Sequence, residues 1–169
     1  EWREKERNYD FNGLTKSHLE KLTKWKTEKA NGSTSRPPRA PRNLMTGQHR
    51  PGNLFNGVLH PIIGYGIKGA IWYQGESNAG RAFAYREIFP LMVQSWRQAW
   101  GQGDFSFYWT QLADFRPESI IPSDSSWAEL RESQTICLRK LDHSGEAVII
   151  DAGEGRDIHP RNKQIVANR

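Results

Sequence analysis

An α/β fold built on a mostly parallel sheet is what this 169-residue sequence predicts, and three observations carry that expectation. After residue 50, short apolar runs alternate three times with segments of helical period. Each apolar run ends abruptly in polar or very small residues, as strands feeding loops do. A hydrophobic content of 36% over this length supports one core.

The elements follow in order. In TKSHLEKLTKWKTEKA (15–30), Leu19, Leu22 and Trp25 recur at three-residue spacing among charges. This predicts a narrow amphipathic helix from near Thr15, stopped by Asn31-Gly32. STSRPPRAPRN (33–43) packs three prolines and three arginines into an extended connector. IKGAIWY (67–73) reads as a buried strand. The segment 80–101 carries Tyr85, Phe89, Met92, Trp96 and Trp100 at helical spacing and closes on Gly101, with Pro90 expected to kink or split it. FSFYWTQLA (105–113) is the second strand. SSWAELRESQTICLRKL (125–141) is a helix opened by a Ser126–Glu129 capping box. EAVIIDAG (146–153) is the third strand, and Pro160 suits the first position of a closing helix. No internal repeat is present.

Net charge is +5, but it is unevenly placed. Residues 1–50 hold 12 Lys+Arg against 6 Asp+Glu, while residues 51–169 hold 12 against 13. The basic segment admits a nucleic-acid arm, yet a solvated helix face explains the same charges. Cys137 is alone, which excludes an intrachain disulfide framework and a cysteine-rich metal site. No apolar run reaches the roughly 18 residues of a membrane span. The chain opens at Glu1 and ends at Arg169 where a helix is beginning, so a fragment is expected, and a missing leader says nothing of compartment.

Sites in open α/β sheets form beyond the carboxyl ends of the strands. There the sequence places Gln74, Glu76 and Ser77, then Asp114, then Asp151, Glu154, Asp157 and His159. Asp157 and His159, two apart, share one side of an extended segment, so the carboxylate can steady the imidazole. No second histidine lies at metal-ligand spacing. Ser77 follows a strand at a turn like an elbow serine, but GESNA lacks the second glycine of G-x-S-x-G. Helix capping is the stronger reading for Ser77 and Asn78. Gln74 and the Gly75 N–H suit oxyanion donation.

LFNGVLHPIIGYGIKGAIWYQGESNAGRAFAYREIFPLMVQSWRQAW (54–100), WAELRESQ (127–134) and DIHPRNK (157–163) together resemble the sialate O-acetylesterase family of SGNH hydrolases, over roughly residues 44–169. The resemblance implies a three-layer α/β/α, flavodoxin-like fold, here incomplete, and hydrolysis of acetyl esters on sugars without metal or cofactor. It implies proton transfer by His159 with Asp157 orienting it, Gln74, Gly75 and Glu76 on the oxyanion side, and Asn56 and Arg131 in matching motifs that line the pocket. Residues 1–43 then read as an insertion within the hydrolase domain.

Two departures stand out. The family's nucleophile lies in an early Gly-Gln-Ser-Asn block that this chain lacks; TGQHR (46–50) has His49 where the serine would be, but it stands just before LFNG, the wrong place for a first block, and reads as coincidence. The serine is therefore expected upstream, leaving the fragment alone inactive. Only Ile158 separates Asp157 from His159 where many such enzymes have two residues, so Asp151 and Glu154 stay open as the orienting acid. The leading expectation is an acetylesterase acting on O-acetylated carbohydrate, either sialate or acetylated xylan, with a periplasmic or secreted location and no nucleic-acid or membrane partner. A non-catalytic carbohydrate-binding module using the tryptophans is the alternative. The sequence gives no oligomeric state.

Overall fold

The computed structural model describes residues 2–117 and 120–169. The chain divides into two compact units, Glu1–Ile62 and Ile63–Arg169.

The first unit holds α1 (Trp2–Arg7) and α2 (Phe11–Ala30). Helix α2 begins before the expected Thr15 because Asp10 caps it, accepting the Gly13 N–H at 2.9 Å. It ends at Asn31, as expected, with Gly32 at φ +92°. No residue of either helix is buried, and Leu19 is 56% exposed, so the apolar stripe does not face a core. Residues 33–43 carry no regular structure. A π-helical turn (Phe55–Leu59) and a 3-10 turn (His60–Ile62) close the unit.

The second unit is built on a three-stranded sheet in the order β1 (Gly69–Trp72), β2 (Ser106–Thr110), β3 (Ser144–Ala147). Both pairings are parallel, with Gly69 opposite Ser106 and Phe107 opposite Ser144. The crossovers contain α3 (Ala82–Trp100) and α4 (Ser126–Cys137). α5 (Lys163–Ala167) follows the sheet.

One sheet face makes the core. Phe107 and Trp109 of β2 pack with Tyr85, Phe89 and Val93 of α3 and with Leu130 and Cys137 of α4. Phe89 sits at its centre, with ring centroids 5.1 Å from Trp109 and 5.2 Å from Tyr85. Each such side chain contributes about 1.5–3 kcal/mol by leaving water. The opposite face is open: Ile71 is 86% and Tyr108 51% exposed, and the short α5 is the helix that joins them in lining a groove there. Helices were expected on both faces, but α3 and α4 both pack into this one core.

Four boundaries depart from expectation, each for a local reason. Helix α3 runs unbroken through Pro90. Proline cannot donate to the carbonyl four residues back, and here Lys140 Nζ supplies a donor to Arg86 O at 3.1 Å. Helix α4 is capped by Ser125, which accepts the Ala128 N–H, so the Ser126–Glu129 box does not form. Strand β3 starts at Ser144 because Gly145 pairs with Tyr108, and a Cβ there would lie 3.0 Å from the tyrosine ring. Helix α5 begins at Lys163 under an Asn162 cap rather than at Pro160, which is buried. Gly101 ends α3 at φ +65°, as expected. Among the described residues, no helix is long and apolar enough to cross a membrane.

Candidate active site

The parallel strands carry their following loops to one end of the sheet. A cavity of about 350 Å³ opens there, lined by Tyr73, Glu76, Ser77, Ile158, His159 and Lys163. The loop after β1 thus meets the segment after β3, bringing Glu76, Ser77 and His159 together as the sequence suggested.

Gly75 turns the chain at the end of the first loop. It is buried at φ +152°, and a Cβ would lie 3.1 Å from Leu130 Cδ2 and 3.3 Å from Gln134 Nε2. Its N–H donates to Glu76 Oε2 at 2.9 Å. Gln74 is oriented by two neighbours: its Nε2 donates to Asn78 Oδ1 at 2.8 Å, and its Oε1 accepts the Tyr85 hydroxyl at 3.4 Å. A 3-10 turn, Glu76–Arg81, then leads into α3. Ser77 lies within that turn and caps nothing, because Gly75 occupies the cap position and Arg81 precedes α3. The capping reading of Ser77 and Asn78 is therefore corrected. Ser77 is exposed to the cavity, and Asn78 serves Gln74.

The loop after β3 is fixed by glycine. A Cβ on Gly153 would fall 2.3 Å from both Asp114 N and Asp114 O, and Gly155 O accepts the Arg116 N–H at 2.8 Å. Asp157 Oδ1 accepts the backbone N–H of His159 at 2.9 Å, while its distance to His159 Nδ1 is 3.9 Å. That is ion-pair range and too long for a hydrogen bond. The imidazole is well exposed, at 78%. Asp151 is ion-paired with Arg169, and Glu154 O accepts the Asp157 N–H. Of the three acids considered, Asp157 is the one against the imidazole.

Arg131 stands elsewhere. Its Nε and Nη2 donate to Leu112 O and Ala113 O at 2.9 and 2.8 Å, holding the carboxyl end of β2. Burial lowers its pKa, and the charge of Asp114 opposes that shift. Both line a separate cavity of about 510 Å³. Asn56 belongs to the first unit, in its π-helical turn.

Tyr73 and Lys163 were missed from the sequence. The Lys163 ammonium lies 5.3 Å from the Tyr73 ring centroid. Burial raises the Tyr73 pKa, with the Glu76 charge adding to it. The usable signals were position: Tyr73 directly precedes Gln74, and Lys163 lies four residues past His159. Among the described residues, no group of three or more His, Cys, Asp or Glu is placed to hold a metal ion.

Comparison with known proteins follows the same residues. No protein-family model matches the chain. It is 36% identical over 147 residues to mouse sialate O-acetylesterase, covering 76% of this chain and 27% of that protein. The human sialate O-acetylesterase is 32% identical over 148 residues, with 76% and 28% covered. Among solved structures, a carbohydrate acetylesterase from Xanthomonas citri matches with TM-score 0.63 and 45% identity, over 68% of this chain and 27% of that one. The chain thus spans about a quarter of the length of the relatives it matches. Over that matched segment it is a homologue of the sialate O-acetylesterase family.

Proposed function

We propose that this chain supplies the histidine, acid and oxyanion side of a carbohydrate O-acetylesterase with a three-layer SGNH-type fold. The observation that carries the reading is the shared cavity of Glu76, Ser77 and His159 in a homologue of sialate O-acetylesterases. In this reading His159 takes the proton of an attacking serine hydroxyl and returns it to the departing sugar oxygen. Asp157 stabilises the imidazolium between those steps. Gln74 and the Gly75 N–H meet the oxyanion, which requires Glu76 Oε2 to release the N–H it now accepts.

The nucleophile lies outside these 169 residues, which contain no Gly-Gln-Ser-Asn block, and the chain alone is inactive. Residues 1–43 are an insertion within the hydrolase domain. The substrate is an O-acetylated sugar, and the location is periplasmic or secreted. Five of the seven tryptophans (72, 96, 100, 109 and 127) lie in or against the core, which weakens the stacking module as an alternative.

The test joins the chain to the preceding segment of its parent protein and measures acetate release from acetylated sugars. His159→Asn is expected to lower kcat by roughly 10³-fold or more. Full activity in that variant refutes the assignment. Ser77 is checked on the chain alone with a fluorophosphonate, and a Ser77 adduct makes it the nucleophile instead.

A further inference from the structure

The Pro/Arg-rich connector is more ordered in its attachments than its lack of regular structure suggests. Trp25 Nε1 donates to Ser35 O at 3.0 Å, and the Tyr9 hydroxyl donates to Arg42 O at 2.7 Å, so one end is tied to a side chain of α2 and the other to one of the link between α1 and α2. Tyr9 also accepts the Leu44 N–H at 2.9 Å. Between these ties, Pro37, Pro38 and Pro41 fix their own φ and push the preceding residues toward polyproline II. That helix has three residues per turn. In that geometry Arg36, Arg39 and Arg42, spaced by three, fall on one face. All three are exposed, and none is ion-paired among the described residues. Residues 29–75 contain neither aspartate nor glutamate.

We propose that residues 35–42 form a binding strip for a linear acidic polysaccharide, with Arg36, Arg39 and Arg42 as its ladder. Three residues of polyproline II advance about 9 Å. Nucleic-acid duplexes carry a phosphate about every 3.4 Å along each strand, so most of their charges would fall between rungs. A glycan with an acid on every second sugar presents sparser charges, and the planar guanidinium matches a carboxylate in two-point contact. The strip also leads into a cavity of about 510 Å³ lined by Arg42, Asn43, Gln48 and His49, polar groups suited to sugar hydroxyls. Choosing a glycan leans on the carbohydrate reading above. The test measures binding and not hydrolysis, so either can fail alone.

The probe is hyaluronan, whose acid alternates with a neutral sugar, titrated against the 169-residue chain by calorimetry, with dextran and duplex DNA alongside. Hyaluronan is expected to bind with an affinity that falls as salt rises, and dextran not to bind. Replacing all three arginines by Gln weakens binding roughly ten-fold, as three exposed contacts of ordinary strength multiply to that factor, while Lys at all three, which keeps the charge but loses the two-point contact, recovers only part of it. The deciding variant exchanges two neighbours, Arg39→Ala with Ala40→Arg, which preserves charge but moves one rung off the face. Weakened binding supports the ladder. Unchanged binding in the exchange or the triple-Gln variant, no hyaluronan binding, or a preference for DNA overturns the proposal.

Discussion

Gly153→Ala tests whether the loop bearing His159 is positioned by backbone contact with the loop after β2. The added methyl would stand 2.3 Å from Asp114 N and O, short of an ordinary 3.4 Å contact by about 1.1 Å. Backbone cannot rotate aside as a long side chain does, so the two loops must part. Overpacking of this kind costs about 1–3 kcal/mol. A shift of about 1 Å at a reacting group costs roughly 10²-fold in rate. Urea unfolding of the 169-residue chain reads the first effect, with the midpoint falling at unchanged slope. Amide spectra read the second, with shifts expected to reach from residues 151–159 to Asp114–Arg116. In the longer protein proposed above to be an esterase, kcat should fall while KM changes little. An unchanged midpoint, with shifts confined to residues 152–154, would refute the reasoning.

Other substitutions probe the supports of the fold. Lys140→Met removes the donor that serves Arg86 O and should cost about 1–2 kcal/mol. The cost should be smaller in a Pro90→Ala background, where the restored backbone N–H can take that carbonyl, and strict additivity in the double-mutant cycle sinks the idea. Arg97 is 6% exposed and donates to Phe105 O at 3.1 and 2.8 Å and to Asp142 O at 2.7 Å. Arg97→Met should therefore cost about 3–5 kcal/mol in chemical unfolding, and a cost below about 1 kcal/mol contradicts that role. Burial pushes the Cys137 thiol from 9.0 up to about 11, so the folded chain holds little thiolate at pH 8. Iodoacetamide should label it quickly only after unfolding, and rapid native labelling at pH 8 refutes this.

The sequence carried the sheet and the two long crossover helices well, because β1 and β2 combine apolar runs with abrupt polar ends and α3 keeps its spacing to Gly101. It misjudged Pro90 because the donor that replaces the proline's missing N–H is Lys140, 50 residues away in the chain. It misplaced β3 for a similar reason. The apolar run 147–150 looks more strand-like than Ser144-Gly145, but the Tyr108 ring on the neighbouring strand selects the glycine. At the site, Glu76, Ser77 and His159 were legible because parallel strands all release their loops at one end. Gly75 was legible as a close-approach residue. The engagement of its N–H by Glu76, and the stacking of Lys163 on Tyr73, depend on side-chain directions that spacing does not encode.

The register of the sheet sets a kinetic problem. Gly69 pairs with Ser106 and Phe107 with Ser144, so each parallel pairing joins residues 37 apart. The entropy of closing a loop depends on its length, so neither strand pair has an advantage in forming first. Parallel pairing at such separation also forms slowly compared with helices, whose contacts are local. The order of events in residues 63–169 then falls to α3 and α4, which must meet over Phe107 and Trp109 before either closure is rewarded. Refolding of this unit should be limited by the docking of those two crossovers, with both strand pairs completing together.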